Sequence, residues 1–76
     1  MKIEVLGGGC PKCKKTLENV KKSVEELGID AEIDYITDMA QIIGRGITQT
    51  PAVVVDGVLK IAGKVPTVEE IKKIIR

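Results

Sequence analysis

The shortness of the chain is the feature that most limits what it can fold into. A domain of 76 residues buries only about 60% of the surface that its unfolded chain exposes. It therefore has room for one hydrophobic core, and we expect a single domain over residues 1–76. Tyr35 is the only aromatic residue, and the other apolar residues are mostly Ile, Val, Leu and Ala. This composition favours a fold that contains strands.

Charge and hydropathy exclude several classes of partner. The net charge is +1, and acidic and basic residues are spread along the chain, so we expect no basic face for nucleic acid. The starting run MKIEVL is too short for a signal peptide. No stretch approaches the roughly 20 apolar residues of a membrane span. We therefore expect a cytoplasmic protein that binds neither nucleic acid nor membrane.

Four short apolar runs have the length and composition of strands. The first ends in three glycines that begin with Gly7, and Asp56-Gly57 is a strong hairpin signal between the last two. The run after Thr50 is apolar without alternation, as expected for a strand that is covered on both faces. The predicted strands are residues 2–6, 31–36, 51–55 and 58–62.

A long helical pattern follows the first strand. Pro11 suits the first helical position, where its missing N–H costs nothing, and Gly28 supplies a C-terminal stop. The predicted apolar face comprises Leu17, Val20, Val24 and Leu27.

Two shorter helices complete the pattern. Asp38 and Gln41 resemble a capping box for a helix through Ile43, and Thr67 and Glu70 make a second capping box for the last helix. We interpret Met39, Ile42 and Ile43 as core residues. The predicted order is β-α-β-α-β-β-α, an α/β fold with a four-stranded mixed sheet and three helices around it.

The motif Cys10-Pro11-Lys12-Cys13 lies where the first strand turns into the first helix. A helix start presents unpaired N–H groups and about half a positive charge. The backbone of Lys12 and Cys13 can therefore donate hydrogen bonds to a Cys10 thiolate, and the charges of Lys12, Lys14 and Lys15 lie nearby. We expect the pKa of Cys10 to lie below that of a free thiol, so that a thiolate is available at neutral pH.

Two cysteines at this spacing can form a disulfide with little backbone change, so one can act as nucleophile and the other as resolving thiol. Cys10 at the exposed helix start suits the attacking role, and Cys13 lies about one turn inside. Two other interpretations are an incidental cysteine pair and half of a zinc site. Zinc requires four ligands, whereas the chain has no His and no third Cys, so we predict no metal.

Together these motifs resemble a known family. A strand that enters CxxC at a helix start, Thr50-Pro51 before an apolar strand, an Asp-Gly hairpin and a closing helix are similar to a minimal thioredoxin-like protein, a small redox-active disulfide protein of the thioredoxin/glutaredoxin-like superfamily. The resemblance covers essentially the whole chain. It implies a thioredoxin-like fold and a monomeric thiol-disulfide oxidoreductase.

The resemblance also implies how such a protein works. Cys10 and Cys13 would form the redox-active disulfide, with no other cofactor. The partners would be target proteins that carry disulfides, and a reductase. Pro51, preceded by Thr50, would be a cis proline that faces the disulfide.

The motif departs from that of typical thioredoxins. Gly9 stands where they carry tryptophan, and Pro11-Lys12 replaces their Gly-Pro between the cysteines. A proline directly after the first cysteine also resembles glutaredoxins, but the aromatic residue that they usually carry next is Lys12 here.

A second class of protein remains open as an alternative. Heavy-metal-associated domains also place Gly-x-x-Cys-x-x-Cys at a helix start, and thiolates suit Cu(I). The Met that such domains often carry two residues before the first cysteine is Gly8 here. Their β-α-β-β-α-β order ends in a strand, whereas this chain is predicted to end in a helix.

Glu4 is a further candidate, on which two interpretations remain open. Thioredoxins carry a buried acid six residues before the first cysteine, and Glu4 stands six residues before Cys10. If it is desolvated among its apolar neighbours, its pKa would be raised, and it could accept and return the proton of Cys13. Alternatively, Glu4 is a solvated surface residue.

Overall fold

The computed structural model describes residues 1–75, which contain four strands and three helices in the predicted order. The predicted α/β fold is therefore confirmed, with small shifts at the ends of elements. No helix in this range combines the length and the apolar content needed to cross a membrane. The elements are β1 (Lys2–Leu6), α1 (Pro11–Leu27), β2 (Glu32–Ile36), α2 (Met39–Gly44), β3 (Ala52–Val55), β4 (Val58–Ala62) and α3 (Val68–Ile75).

The strands form one mixed sheet in the order β2-β1-β3-β4. β1 runs parallel to β2, where Leu6 lies opposite Ile36, and antiparallel to β3, where Leu6 lies opposite Ala52. Asp56 and Gly57 both have positive φ angles, 49° and 83°, as the predicted hairpin between β3 and β4 requires. The C-terminal end of the central strand β1 therefore meets the start of β3.

The element order also decides against the heavy-metal-associated alternative. In that fold the second strand is followed directly by a third strand, whereas here the helix α2 lies between β2 and β3.

The core lies in two clusters, one on each face of the sheet. Every residue of β3 is buried, which confirms the prediction that this strand is covered on both sides. The cluster facing α1 and α3 comprises Ile3, Val5, Val20, Val53, Val55, Ile61, Ile71 and Ile75. The cluster facing α2 comprises Leu6, Ile42, Ile47, Ala52 and Val54.

Polar residues of α1 fasten this helix to the start of α3. Asn19 Nδ2 donates to the Pro66 carbonyl at 2.8 Å, and Ser23 Oγ lies 2.7 Å from the Asn19 carbonyl and 3.2 Å from that of Val68. Ser23 is fully buried. The apolar periodicity of α1 does not reveal this polar attachment, because it depends on carbonyl groups that belong to a distant segment.

Two of the three α2 residues predicted for the core are not in it. Met39 is 52% exposed and Ile43 68% exposed, whereas Ile42 is 1% exposed. The helix has only six residues, less than two turns, so only one side of it can reach the sheet. The prediction for Met39 and Ile43 is therefore wrong.

The two predicted capping boxes also differ in outcome. Thr67 Oγ1 accepts from the Glu70 N–H at 3.1 Å, and Glu70 Oε1 accepts from the Thr67 N–H at 3.3 Å, so the box before α3 is confirmed. Before α2, Asp38 accepts from the Ala40 N–H at 3.0 Å instead of pairing with Gln41. Asp38 is therefore a simple N-cap, and the second capping box is not formed as predicted.

The same substitution, Ile to Ala, at Ile71 and at Ile43 tests which of the two residues belongs to the core. Ile71→Ala should lower the free energy of unfolding by about 2 to 5 kcal/mol, because it leaves a cavity in the core. Ile43→Ala should change it by less than about 0.5 kcal/mol, because its side chain is mostly solvated. Urea unfolding of the reduced proteins, followed by far-UV circular dichroism, measures both. Equal losses would contradict the assignment.

Candidate active site

The candidate residues meet beside the end of β1 and the start of β3, the two central strands of the sheet. Leu6 lies opposite Ala52, so Gly7, which follows β1, and Pro51, which precedes β3, are neighbours. Just beyond β4, the Gly63 N–H donates a hydrogen bond to the Pro51 carbonyl at 3.0 Å. The sheet pairing thus brings the CxxC segment and the Thr50-Pro51 segment together, although they are far apart in the sequence.

Thr50 and Pro51 differ in their exposure. The peptide bond between them is cis. Pro51 is fully buried, while Thr50 lies at the surface. Thr50 is thus accessible from solvent beside the end of β1.

Cys10 and Cys13 lie where the sequence predicts. Cys10 is the N-cap residue of α1 and is exposed, whereas Cys13, one turn inside, is 0% exposed. Their Sγ atoms are 3.0 Å apart, longer than the roughly 2.05 Å of a disulfide bond, so both residues are thiols. One sulfur of the pair is open to a partner and the other is shielded.

The two thiols have pKa values shifted in opposite directions. The Cys13 S–H and the Cys13 N–H, followed by the Lys12 N–H, lower the pKa of Cys10 because they stabilise its thiolate. Burial, followed by the hydrogen bond and the charge of Cys10, raises the pKa of Cys13. Cys10 is therefore the first to ionise, and Cys13 keeps its proton.

Pro11 and Lys12 shape this helix start through their backbone. Pro11 occupies the first helical position, as predicted. The largest contributions to the lowered pKa of Cys10 come from the Cys13 thiol and from backbone N–H groups, whereas the sequence also implicates the side-chain charges of the neighbouring lysines. The lowered pKa thus depends mainly on the local helix geometry.

Gly7 is a site residue whose role the sequence pattern does not predict. The side chain of Cys13 packs directly on it: a β-carbon at Gly7 would overlap Cys13 Sγ and lie 2.8 Å from Cys13 Cβ. The glycine run is interpreted from sequence only as a flexible turn. At this position the missing side chain lets the buried thiol rest against the end of β1.

The structure confirms that Glu4 is buried and contradicts the rest of both interpretations. Its side chain is only 9% exposed, and Glu4 Oε2 lies 2.8 Å from Arg45 Nη2. The hydrogen bond from Arg45 lowers the pKa of Glu4 and outweighs the opposite effect of burial. The predicted rise in the pKa is therefore wrong, and so is the picture of a solvated glutamate.

Glu4 also lies on the face of the sheet opposite to Cys13. Successive strand residues point to opposite faces, so Glu4 shares the α2 face with Leu6, while Ile3 and Val5 face α1. Gly7, on which Cys13 rests, continues the α1 side. The structure thus couples Glu4 to Arg45, which follows α2, and places Glu4 on the other side of the sheet from Cys13.

Tyr35 lies near the thiols, although no sequence motif marks it. It stands opposite Val5 in the sheet and packs against the cluster that faces α1. Its hydroxyl oxygen is buried without a hydrogen-bond partner among residues 1–75. Burial, followed by the charges of Cys13 and Cys10, raises the pKa of Tyr35, so the hydroxyl stays protonated at neutral pH.

Two further features bear on possible ligands. Within residues 1–75, no cluster of three or more metal-ligating Cys, Asp or Glu side chains is found. A surface cavity of about 370 Å³ lies away from the cysteines, between the end of α2 and the β3-β4 hairpin. Its lining residues are Arg45, Gly46, Ile47, Val54, Gly57 and Leu59.

Known proteins with similar sequences point to one family. A family model described as the thioredoxin domain matches residues 1–76. A thioredoxin of Methanocaldococcus jannaschii is 55% identical over 71 residues, which cover 93% of this chain and 81% of that protein. A thioredoxin of Methanothermobacter thermautotrophicus is 49% identical over 75 residues, which cover 99% of this chain and 97% of that protein.

The different environments of the two thiols predict selective alkylation. In the reduced protein at pH 7, iodoacetamide should modify Cys10 at least about tenfold faster than Cys13, because Cys10 is exposed and ionises first. Peptide mass spectrometry of quenched time points measures both rates. In urea the two rates should become similar. Faster modification of Cys13 in the folded protein would contradict the geometry.

The ion pair of Glu4 predicts a pH-dependent contribution to stability. Because the folded pKa lies below the ordinary value of 4.5, the contribution is full above that pH and is lost as the pH falls through the folded pKa. Glu4→Gln should therefore lower the free energy of unfolding by about 1 to 2 kcal/mol at pH 7, a figure reduced for the partial exposure of Arg45. The difference should shrink toward pH 3. Urea unfolding across this pH range measures it.

Asp34→Asn is the matched control, because Asp34 Oδ2 pairs with Lys2 Nζ at 3.6 Å and both side chains are well exposed. It should cost less than about 0.5 kcal/mol at either pH. A loss for Glu4→Gln that is no larger than this would contradict the structural role of the Glu4 ion pair.

Proposed function

The chain belongs to the thioredoxin family, and we propose that Cys10 and Cys13 are the pair through which it exchanges electrons with disulfides of target proteins. The protein is a thiol-disulfide oxidoreductase, and such proteins work with their own redox-active disulfide and need no other cofactor. The observation that carries the assignment of residues is the contact between an exposed, readily ionised Cys10 and a buried, protonated Cys13.

In the first step, the Cys10 thiolate attacks one sulfur of the target disulfide. A bond forms between Cys10 Sγ and that sulfur, the disulfide bond of the target breaks, and its second sulfur leaves as a thiolate that takes up a proton. The exposure of Cys10 and its lowered pKa support this role.

In the second step, Cys13 loses its proton and attacks Cys10 Sγ. The Cys10–Cys13 disulfide forms, the bond between Cys10 and the target breaks, and the reduced target departs. The pair has then given two electrons to the target. The 3.0 Å between the sulfurs means that little movement is needed to form this bond.

Pro11 and Lys12 support the first step through the helix start. Pro11 has no N–H of its own, so the first donors of α1 are the N–H groups of Lys12 and Cys13, which act on Cys10. This arrangement stabilises the thiolate before it attacks and also stabilises it when Cys10 is released again.

The target would lie along the backbone beside Thr50 and Pro51. An extended segment of the target can be held there by main-chain contacts while its disulfide reaches Cys10. The proximity of Pro51 to Gly7 and the exposure of Thr50 support this position. Met39 borders the same region, because a β-carbon at Gly8 would lie 3.9 Å from Met39 Sδ.

The family implies two kinds of partner, namely target proteins that carry disulfides and a reductase that returns electrons to the pair. We further propose that the protein acts in the cytoplasm as a single-domain monomer over residues 1–76, without nucleic-acid or membrane partners. The even spread of charge along the chain supports the last point.

Replacing each cysteine in turn tests the two roles. Cys13→Ser should form the mixed disulfide with a target and fail to resolve it, so that reduction of insulin by dithiothreitol falls to the uncatalysed rate. Cys10→Ser should also lose turnover, but it should form no mixed disulfide. Non-reducing electrophoresis and intact-mass measurement distinguish the two variants.

The outcome that would overturn the assignment is a stable mixed disulfide on Cys13 in the Cys10→Ser protein, formed as fast as the one on Cys10. A parallel Cu(I) competition titration covers the alternative function. Tight copper binding without insulin reduction by the unaltered protein would favour metal carriage over redox exchange.

A further inference from the structure

The hydroxyl of Tyr35 is a buried polar group that the proposed steps leave unused. Its oxygen is shielded from solvent and has no hydrogen-bond partner within residues 1–75. Most buried hydroxyls in proteins are hydrogen-bonded, because a buried polar group without a partner costs free energy. The hydroxyl is thus able to donate a hydrogen bond to a neighbouring group that becomes charged.

Tyr35 on β2 and Cys13 on α1 both lie near the end of β1, on the same side of the sheet. Because β2 is parallel to β1, Tyr35 shares the α1 side of the sheet with its register partner Val5, and Gly7 continues that side beyond Val5. Cys13 packs directly on Gly7. The N–H of Gly9 lies near enough to both groups to lower the pKa of Cys13 and that of Tyr35. Tyr35 and Cys13 therefore lie on the same side of the sheet, and both are affected by the N–H of Gly9.

We propose that Tyr35 is a positioning residue whose hydroxyl donates a hydrogen bond to the Cys13 thiolate in the resolving step. The inference rests on the proposed roles of Cys10 as attacking thiol and Cys13 as resolving thiol. In the reduced protein, Cys13 is engaged with the Cys10 sulfur at 3.0 Å. Once Cys10 is bound to a target, its sulfur carries no negative charge, and Cys13 has to ionise in a buried position.

A hydrogen bond from the Tyr35 hydroxyl would offset the effect of burial, which is the main factor that opposes ionisation of Cys13. Burial is the main cause of the raised pKa of Cys13, and a donor that stabilises the thiolate opposes it. Tyr35 can serve as a donor at working pH because its own pKa is raised. The proton of Cys13 goes to solvent, the Cys13 sulfur bonds to Cys10 Sγ, and the target sulfur leaves with the electrons of the broken bond. Tyr35 keeps its proton and is not oxidised.

Few other titratable groups act on this hydroxyl. The charges that raise the pKa of Tyr35 are those of Cys13 and Cys10, at the start of α1. On the same side of the sheet, β1 contributes Ile3 and Val5, which are apolar. Glu4 and Asp34, which are paired in the sheet, alternate to the opposite side.

Tyr35→Phe tests the proposal, because it removes only the hydroxyl. Reduced protein mixed with dithiobis(nitrobenzoate) in a stopped-flow instrument releases one coloured thiolate on attack by Cys10 and a second on resolution by Cys13. The second phase should slow about tenfold or more at pH 7, since a hydrogen bond to a charged group contributes at least this factor. The first phase should be unchanged.

The pH profile separates donation to a thiolate from a packing effect. At high pH, where Cys13 is ionised in both proteins, the rates should converge or cross, because the more basic thiolate of the variant is the better nucleophile. Tyr35→Phe should also keep or raise the melting temperature, because the deleted hydroxyl makes no well-formed hydrogen bond in the reduced protein. Ile33→Val, on the same side of β2, is the packing control and should keep the pH profile of the unaltered protein.

The proposal is overturned if the second phase of Tyr35→Phe keeps its original rate and pH profile, or slows by one factor at every pH. A change confined to the first phase would also overturn it. Failure of the proposed function has a different signature, which the two single-cysteine variants give in the same instrument. Cys13→Ser should release its one coloured thiolate in the fast first phase, and Cys10→Ser should release its one much more slowly. If Cys10→Ser reacts as fast as Cys13→Ser, the roles of the cysteines are wrong.

Discussion

The central position of β1 is the constraint on which the rest of this structure depends. It pairs with β2 on one side and with β3 on the other, and Ile3, Val5 and Leu6 are 0% exposed. A strand held on two edges and two faces cannot shift its register without moving core residues to the wrong side. Because the Gly7 N–H extends the pairing by donating to the Ile36 carbonyl at 3.0 Å, the point where the chain enters α1 is also fixed.

The chemistry follows from what this fixed point does to two chemically identical side chains. At the start of α1, Cys10 is exposed and the N–H groups of Cys13 and Lys12 help to lower its pKa, whereas Cys13 packs against Gly7. One contact between the sulfurs then acts in opposite directions, because it stabilises a thiolate on Cys10 and makes a second charge on Cys13 unfavourable. The division of labour between attacking and resolving thiol is thus a property of position and not of residue type.

The alternation of side chains along β1 and β2 sorts the remaining polar groups between the two faces of the sheet. Glu4 is directed to the α2 side, where it is neutralised by Arg45. Tyr35 is directed to the α1 side, where the charges of Cys13 and Cys10 help to raise its pKa. The acid expected from resemblance to serve Cys13 is therefore separated from it by the sheet, and the group that we propose to act on Cys13 is a neutral donor.

Local patterns in the sequence determined the order of the elements, the helix that begins at Pro11 and ends before Gly28, and the placement of Cys10 at a helix start, because periodicity, proline and glycine act on neighbouring residues. They could not determine that Met39 and Ile43 stay exposed, that Arg45 reaches Glu4, or that Tyr35 buries its hydroxyl near Cys13. Each of these depends on which distant segment covers a residue. That is decided only when the sheet pairs β1 with β2 and β3, and the helices then close over its two faces.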